Sequence, residues 1–267
     1  MSNRDLVAKV VGSPLWKEHD VVPNERVLNA LRKVDRARFL PNLPMILHDL
    51  DGRFGQHVID GFSKLGNSLI SEETLFRTIG QALGLSLLEY EISITSLAYN
   101  DCVLPLFNGQ TCSQPFVVAF EATLAEIEEG MNVLEIGTGC GYSAAVTSYL
   151  IGESGRLLTL ERDKELHEFG RYNLDRFLRN KKLKRNIDTL HTTGCNGYVE
   201  RSPFDRIYLT AGIAQDSDLD PYMSQLREGG ILVAPEQRGD FIVRKKRGEE
   251  YDEQRYGGFN FVPLRKD

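Results

Sequence analysis

Three glycines, Gly137, Gly139 and Gly141, interrupt an apolar run that reads Val133-Leu-Glu-Ile-Gly-Thr-Gly-Cys-Gly-Tyr-Ser143, and the next apolar run closes on Glu161. Such a pattern turns a buried strand sharply into a helix and lets the backbone come close to a ligand. In doubly wound nucleotide-binding folds a carboxylate about 20 residues beyond the glycines takes the ribose hydroxyls, and Glu161 is at that distance. The spacing is G-x-G-x-G, whereas the dinucleotide fingerprint is G-x-G-x-x-G with a pyrophosphate on the helix N-terminus. Glu135 sits inside the motif and would repel a pyrophosphate. It suits a ligand with a positive ammonium or sulfonium group. The glycines alone are equally compatible with a plain strand-turn-helix; the two carboxylates turn the reading towards a cofactor.

These residues need a scaffold, and hydrophobic periodicity outlines one. Residues 24–34 carry Val27, Leu28, Leu31 and Val34 at helical spacing, with Asn24 as cap. Pro41 and Pro44 end regular structure, residues 43–70 are glycine-rich and ambiguous, and residues 85–97 have no clear period. A helix is expected over 71–83 on the stripe Leu75, Ile79 and Leu83. Pro115 suits a first helical position, and Phe116, Ala119, Phe120, Leu124 and Ile127 follow on one face. Further on, the pattern predicts strands at 133–136, 157–160, 187–191, 206–210, 231–234 and 241–244. Helices fall between them at 143–150, 165–177 and 219–226, the last stopped by Gly229-Gly230, and residues 259–264 form the last apolar run. Alternation of this kind indicates a doubly wound, mostly parallel α/β sheet, closed by an antiparallel C-terminal hairpin.

A chain of 267 residues buries one full core. Its formal charge of −6 argues against a nucleic-acid partner. The first residues carry no apolar signal segment and no run reaches membrane-spanning length, so a cytoplasmic protein without a membrane partner is expected. Cys102, Cys112, Cys140 and Cys195 are scattered, with neither C-x-x-C nor histidine at ligand spacing, so neither disulfides nor a metal site is expected. The five histidines, among them His19, His48 and His57, form no pattern and read as surface or locally satisfied residues. Oligomeric state is left open.

The glycine loop resembles the first motif of the S-adenosylmethionine-dependent methyltransferases. Upstream, Gly109-Gln-Thr-Cys-Ser-Gln-Pro115 closely resembles the G-Q-T-I-S-Q-P signature of the protein-L-isoaspartate O-methyltransferases. Ala98-Tyr-Asn-Asp101 is similar to that family's A-Y-E-D, and Arg38-Phe39-Leu40-Pro41 to its R-F-V-P. Pro203-Phe204-Asp205-Arg206-Ile207 and Phe261-Val262-Pro263-Leu264 also match, in the same order. The resemblance covers roughly residues 21–42 and 97–264. It implies S-adenosyl-L-methionine as cofactor and methyl transfer to the α-carboxylate of an isoaspartyl residue in a damaged protein or peptide. The ester then cyclises to a succinimide that can reopen to aspartate.

On this resemblance Ser113 is the active-site residue, with Asp101 at a matching acidic position. Gln110, Thr111, Thr193 and Gly194 join the glycines, Glu135 and Glu161 around the cofactor. Thr210, Ala211 and Gly212 border the substrate beside Ser113. Plainer roles stay open: Ser113 as a helix N-cap, Asp101 as a turn aspartate, and 210–212 as a tight turn. Two departures stand out. The family's G-D-G aspartate, which contacts the adenine amine, is replaced by Thr193. Residues 43–96 occupy a connection that is short in the family. The expected organisation is an N-terminal helical region, 1–96, containing the insertion 43–96, and a methyltransferase domain, 97–267. Two rival functions remain: a relative that methylates an aspartate of one dedicated peptide, and a non-catalytic methyltransferase-like adaptor.

Overall fold

The computed structural model describes residues 2–40, 97–181 and 186–265. The helix expected at 71–83, and the insertion 43–96 up to the last residue before 97, lie outside the described residues. At the centre is β3 (Asn132–Ile136), flanked on one side by β4 (Arg156–Glu161) and β5 (Ile187–His191). On the other side lie β6 (Phe204–Leu209), β7 (Leu226–Pro235), β8 (Arg238–Arg247) and β9 (Glu250–Asn260). The seven strands run in the order β5-β4-β3-β6-β7-β8-β9. The first five are parallel, and β7, β8 and β9 pair antiparallel. This is the doubly wound sheet with an antiparallel C-terminal end that the periodicity predicts.

Both faces of the sheet are covered, which explains why its central strands are nearly continuous apolar runs. Along β3, Val133 packs into one core and Leu134 and Ile136 into the other. Helices α4 (Pro115–Leu124), α5 (Tyr142–Ile151) and α6 (Lys164–Lys181) cover the first face, and α7 (Asp220–Gln225) covers the second. Pro115 occupies the first turn of α4, as expected.

The N-terminal helices α1 (Asn3–Val11), α2 (Leu15–Glu18) and α3 (Glu25–Lys33) join the first core. Of these, periodicity predicts α3 alone; Asn24 caps it by accepting from the Arg26 N–H at 2.9 Å. Trp16 of α2 stacks edge-on against Phe116 of α4 with ring centroids 4.9 Å apart. The N-terminal region therefore shares a core with the sheet's helical layer.

Two expectations are corrected. Gly229 and Gly230 do not stop a helix; they lie inside β7, which begins at Leu226, where its pairing with β6 shifts register. The closing strand is β9 and not 259–264. Its residues Glu250 to Arg255 are exposed, so this polar edge strand has no alternation to read. Residues 261–265 instead run back towards the middle of the sheet, where the Gly212 N–H donates to the Val262 carbonyl and the Leu264 N–H to the Gly212 carbonyl, each at 2.8 Å.

Candidate functional site

The strand order reverses at β3, between β4 and β6, and the loops beyond their carboxyl ends open into one cleft, the usual ligand position in such sheets. Its floor is the glycine loop, residues 137–140. One wall is Glu161, Arg162 and Asp163. Another side comes from residues 110–113, where β2 (Thr111–Cys112) pairs with the short β1 (Leu104–Pro105). Gly194, Thr210, Ala211 and residues 262–265 close the remaining side.

Gly137 shows why this floor needs glycine. Its φ is +101°, and a Cβ would lie 2.2 Å from the Thr210 Oγ1. That hydroxyl hydrogen-bonds to the carbonyls of Ile136 (3.1 Å) and Gly137 (2.9 Å), tying the loop to the end of β6. Glu161 ends β4 and is 7% exposed. Its Oε2 accepts from the Gly139 N–H and its Oε1 from the Asp163 N–H, both at 3.0 Å. Burial holds its pKa above the usual carboxylate range, against the pull of these N–H donors. The carboxylate is fixed in direction, with lone pairs left for a second partner on each oxygen. Asn108 closes the outer end: its side-chain amide donates to Asp163 Oδ2 at 2.7 Å, and Asp163 Oδ1 caps α6 at the Leu166 N–H.

The structure brings Gln110, Thr111, Ser113, Gly137, Gly139, Glu161, Gly194, Thr210 and Ala211 together on this cleft. Five other expected site residues do not line it. Glu135 points the other way. It alternates with Leu134 and Ile136, so its side chain shares the face of Val133 and is 0% exposed. There it accepts from Thr159 and, at 2.9 Å, from the Tyr208 hydroxyl, its register partners on β4 and β6. It cannot face a cationic ligand. Gly141 starts α5 at φ +87°, and a Cβ there would meet Leu174 at 2.9 Å, so it serves the packing of α6 on α5. Thr193 is exposed, with its hydroxyl on the Cys195 sulfur at 3.3 Å. Gly212 is occupied by its backbone bonds to the C-terminal segment.

Asp101 is the fifth. Its Oδ1 accepts from the Phe116 N–H at 2.7 Å and its Oδ2 from the Gln114 amide at 3.0 Å. It therefore caps α4 and consumes the first N–H that the helix start offers. Ser113 is not the cap: Gln114 holds that position, and among the described residues no hydrogen bond of the Ser113 hydroxyl is found. Sequence reasoning missed Asn108, Tyr142, Ser143, Asp163 and residues 262–265. The run Phe261-Val262-Pro263-Leu264 was a usable signal for the last group.

Glu135 has a pH consequence. Burial raises its pKa to about 7, against the bonds from Thr159 and Tyr208 that favour the ionised form. Glu121, buried beside it, is raised well above the carboxylate range by burial and then by the Glu135 charge. The folded chain thus keeps a proton that the unfolded chain releases near pH 4.5. Stability from this site is present below that pH and is lost as pH rises towards 7. Relative to Glu135→Gln, whose amide does not titrate, the wild type should lose stability between pH 5 and 7 and level off above. Urea midpoints of both proteins at pH 5, 6, 7 and 8 check this; a constant difference contradicts it.

A family model described as Protein-L-isoaspartate(D-aspartate) O-methyltransferase matches residues 89–267 of the chain. A protein-L-isoaspartate O-methyltransferase of Methanothermobacter thermautotrophicus is 40% identical over 176 residues, which span 62% of this chain and 76% of that protein. A solved protein-L-isoaspartate O-methyltransferase shares the fold with a TM-score of 0.66 at 22% identity, aligned over 98% of this chain. The chain spans 65% of the length of that protein. A Plasmodium falciparum structure in complex with S-adenosyl-L-homocysteine aligns over 100% of both chains with a TM-score of 0.66 at 17% identity.

Proposed function

Because the chain belongs to the protein-L-isoaspartate(D-aspartate) O-methyltransferase family, we propose that it methylates the α-carboxylate of isoaspartyl residues in damaged proteins or peptides, with S-adenosyl-L-methionine as cofactor. The observation that carries this reading is one cleft lined by both Glu161 and Ser113. The cleft fits the cofactor. Glu161 offers two oriented oxygens to a ribose diol, Gly139 leaves open space where a Cβ would meet only a Leu106 methyl at 3.9 Å, and Gly194 lies alongside. When bound, the cofactor supplies an electrophilic methyl group on its sulfonium.

The protein's own task is modest. An isoaspartyl carboxylate is already ionised at neutral pH, so no strong general base is required. What accelerates transfer is alignment and exclusion of water. The Ser113 hydroxyl, with no hydrogen bond of its own found among the described residues, donates to the incoming carboxylate. Thr210 and Ala211 border the peptide, and Asn108 with Asp163 shields the outer end. Asp101 acts at one remove by fixing Gln114 and the start of α4. Gln110 and Thr111 lie on the cofactor side of the same wall.

Residues 1–96, with the insertion 43–96, form an N-terminal elaboration and 97–267 the methyltransferase domain in this reading. No described helix is long and apolar enough to cross a membrane. Four free thiols support a cytoplasmic location, and the net charge of −6 supports a partner other than nucleic acid. The decisive assay compares methyl transfer to an isoaspartyl peptide and to its aspartyl twin.

A further inference from the structure

Arg36 carries a charge that the reaction above does not use. It starts the 3-10 turn Arg36–Phe39, directly after α3, and its side chain is 0% exposed. Among the described residues no carboxylate pairs with it. Instead its Nη1 donates to the carbonyls of Asn100 (3.1 Å) and Ala98 (3.5 Å). Its Nη2 donates to those of Cys102 (2.8 Å), Ser113 (3.0 Å) and Cys112 (3.4 Å). The Tyr142 ring lies beneath, with the guanidinium carbon 5.9 Å from its centroid.

A buried guanidinium with no carboxylate partner among the described residues is costly, so it depends on its hydrogen bonds to the backbone. Here they join two stretches that both lie far from Arg36 in the chain, 98–102 and 112–113. These are the two ends of the segment that forms the Ser113 wall. Asp101, between the Arg36-bound carbonyls of Asn100 and Cys102, grips Gln114 and the Phe116 N–H on the far side of Ser113. Ser113 is thus held from both sides: its carbonyl by Arg36, its following residues by Asp101. Ser113 itself lines the cleft.

We propose that Arg36 is a positioning residue: its planar fork clamps the two ends of the 98–113 segment and so sets the aim of the Ser113 hydroxyl, without touching cofactor or peptide. This rests on Ser113 as the group that meets the substrate carboxylate. Lysine cannot replace the fork, because an ammonium is a point charge with no bidentate geometry. The clamp reaches Ser113 and not Glu161, so the two ends of the cleft should respond differently to its loss.

The test uses Arg36→Lys in the full chain, assayed well below its melting temperature. Turnover of an isoaspartyl peptide should fall by about 10- to 100-fold, the scale of a misplaced catalytic group. The dissociation constant of S-adenosyl-L-homocysteine, read by calorimetry, should change by less than about threefold, as for an independent site. Amide exchange should quicken in 97–114 and not in 133–161. Unchanged turnover in folded Arg36→Lys overturns the proposal, as does an equal loss of cofactor affinity. If the lysine variant does not fold, Arg36→Gln, which keeps two donors, is read the same way. Failure of both to fold also overturns it, because Arg36 then holds the fold as a whole. A wild-type chain that binds S-adenosyl-L-homocysteine but methylates no isoaspartyl peptide removes the proposed function instead. The clamp is then judged on amide exchange alone, with uniform exchange in the variant counting against it.

Discussion

Glu161→Ala should weaken binding of S-adenosyl-L-methionine by about 1.5–3 kcal/mol, the range for hydrogen bonds to a charged group. The wild-type carboxylate is already aimed by the Gly139 and Asp163 N–H groups, so it meets a ribose diol without reorganising. Alanine removes both the ligand's acceptor and the partner of two loop amides, which places the effect towards the upper end. Glu161→Gln should not restore binding. One of its two polar atoms becomes a donor facing a backbone N–H, so either the Gly139 or the Asp163 bond is lost. Calorimetry with S-adenosyl-L-homocysteine on all three proteins checks this. Unchanged affinity in the alanine variant would remove Glu161 from the cofactor site.

The second large effect concerns Ser113. Ser113→Ala should lower turnover by about 10- to 150-fold, the loss of one hydrogen bond to a carboxylate. Stability should hardly move, by less than about 0.5 kcal/mol, because no hydrogen bond of this hydroxyl is found among the described residues. This separation is sharper than it would be for a helix cap, whose removal costs about 1 kcal/mol. Melting temperature and initial rate, taken on the same preparation, decide. A retained rate means that Ser113 meets no substrate, and a large drop in melting temperature means that it braces the wall.

The site was legible where chemistry and chain are adjacent. The glycine spacing and Glu161 mark the cleft because strand, turn and next strand lie together in sequence and in space. Glu135 was misread for a local reason. The motif placed it next to the loop, but in a strand buried on both faces a side chain two residues from Val133 shares its face, under α4 and α5. Alternation was sufficient to exclude it from the cleft. The cap made by Asp101 is hidden for a distant reason: its partners, Gln114 and Phe116, lie a loop away, and no periodicity announces a cap formed across that gap. Arg36 escaped notice for the same cause, since its five carbonyl partners come together only through the fold. The polar edge strand β9 hid the return of residues 262–265 to the cleft, which depends on pairing with Gly212.

The central claim is that this cleft delivers a methyl group to an isoaspartyl α-carboxylate. Its most direct measurement is transfer of radiolabelled methyl from S-adenosyl-L-methionine to two peptides that differ only in one isoaspartyl or aspartyl linkage. The account predicts label on the isoaspartyl peptide and background on its twin. Label on both alike, or on neither while calorimetry shows bound S-adenosyl-L-homocysteine, would contradict it.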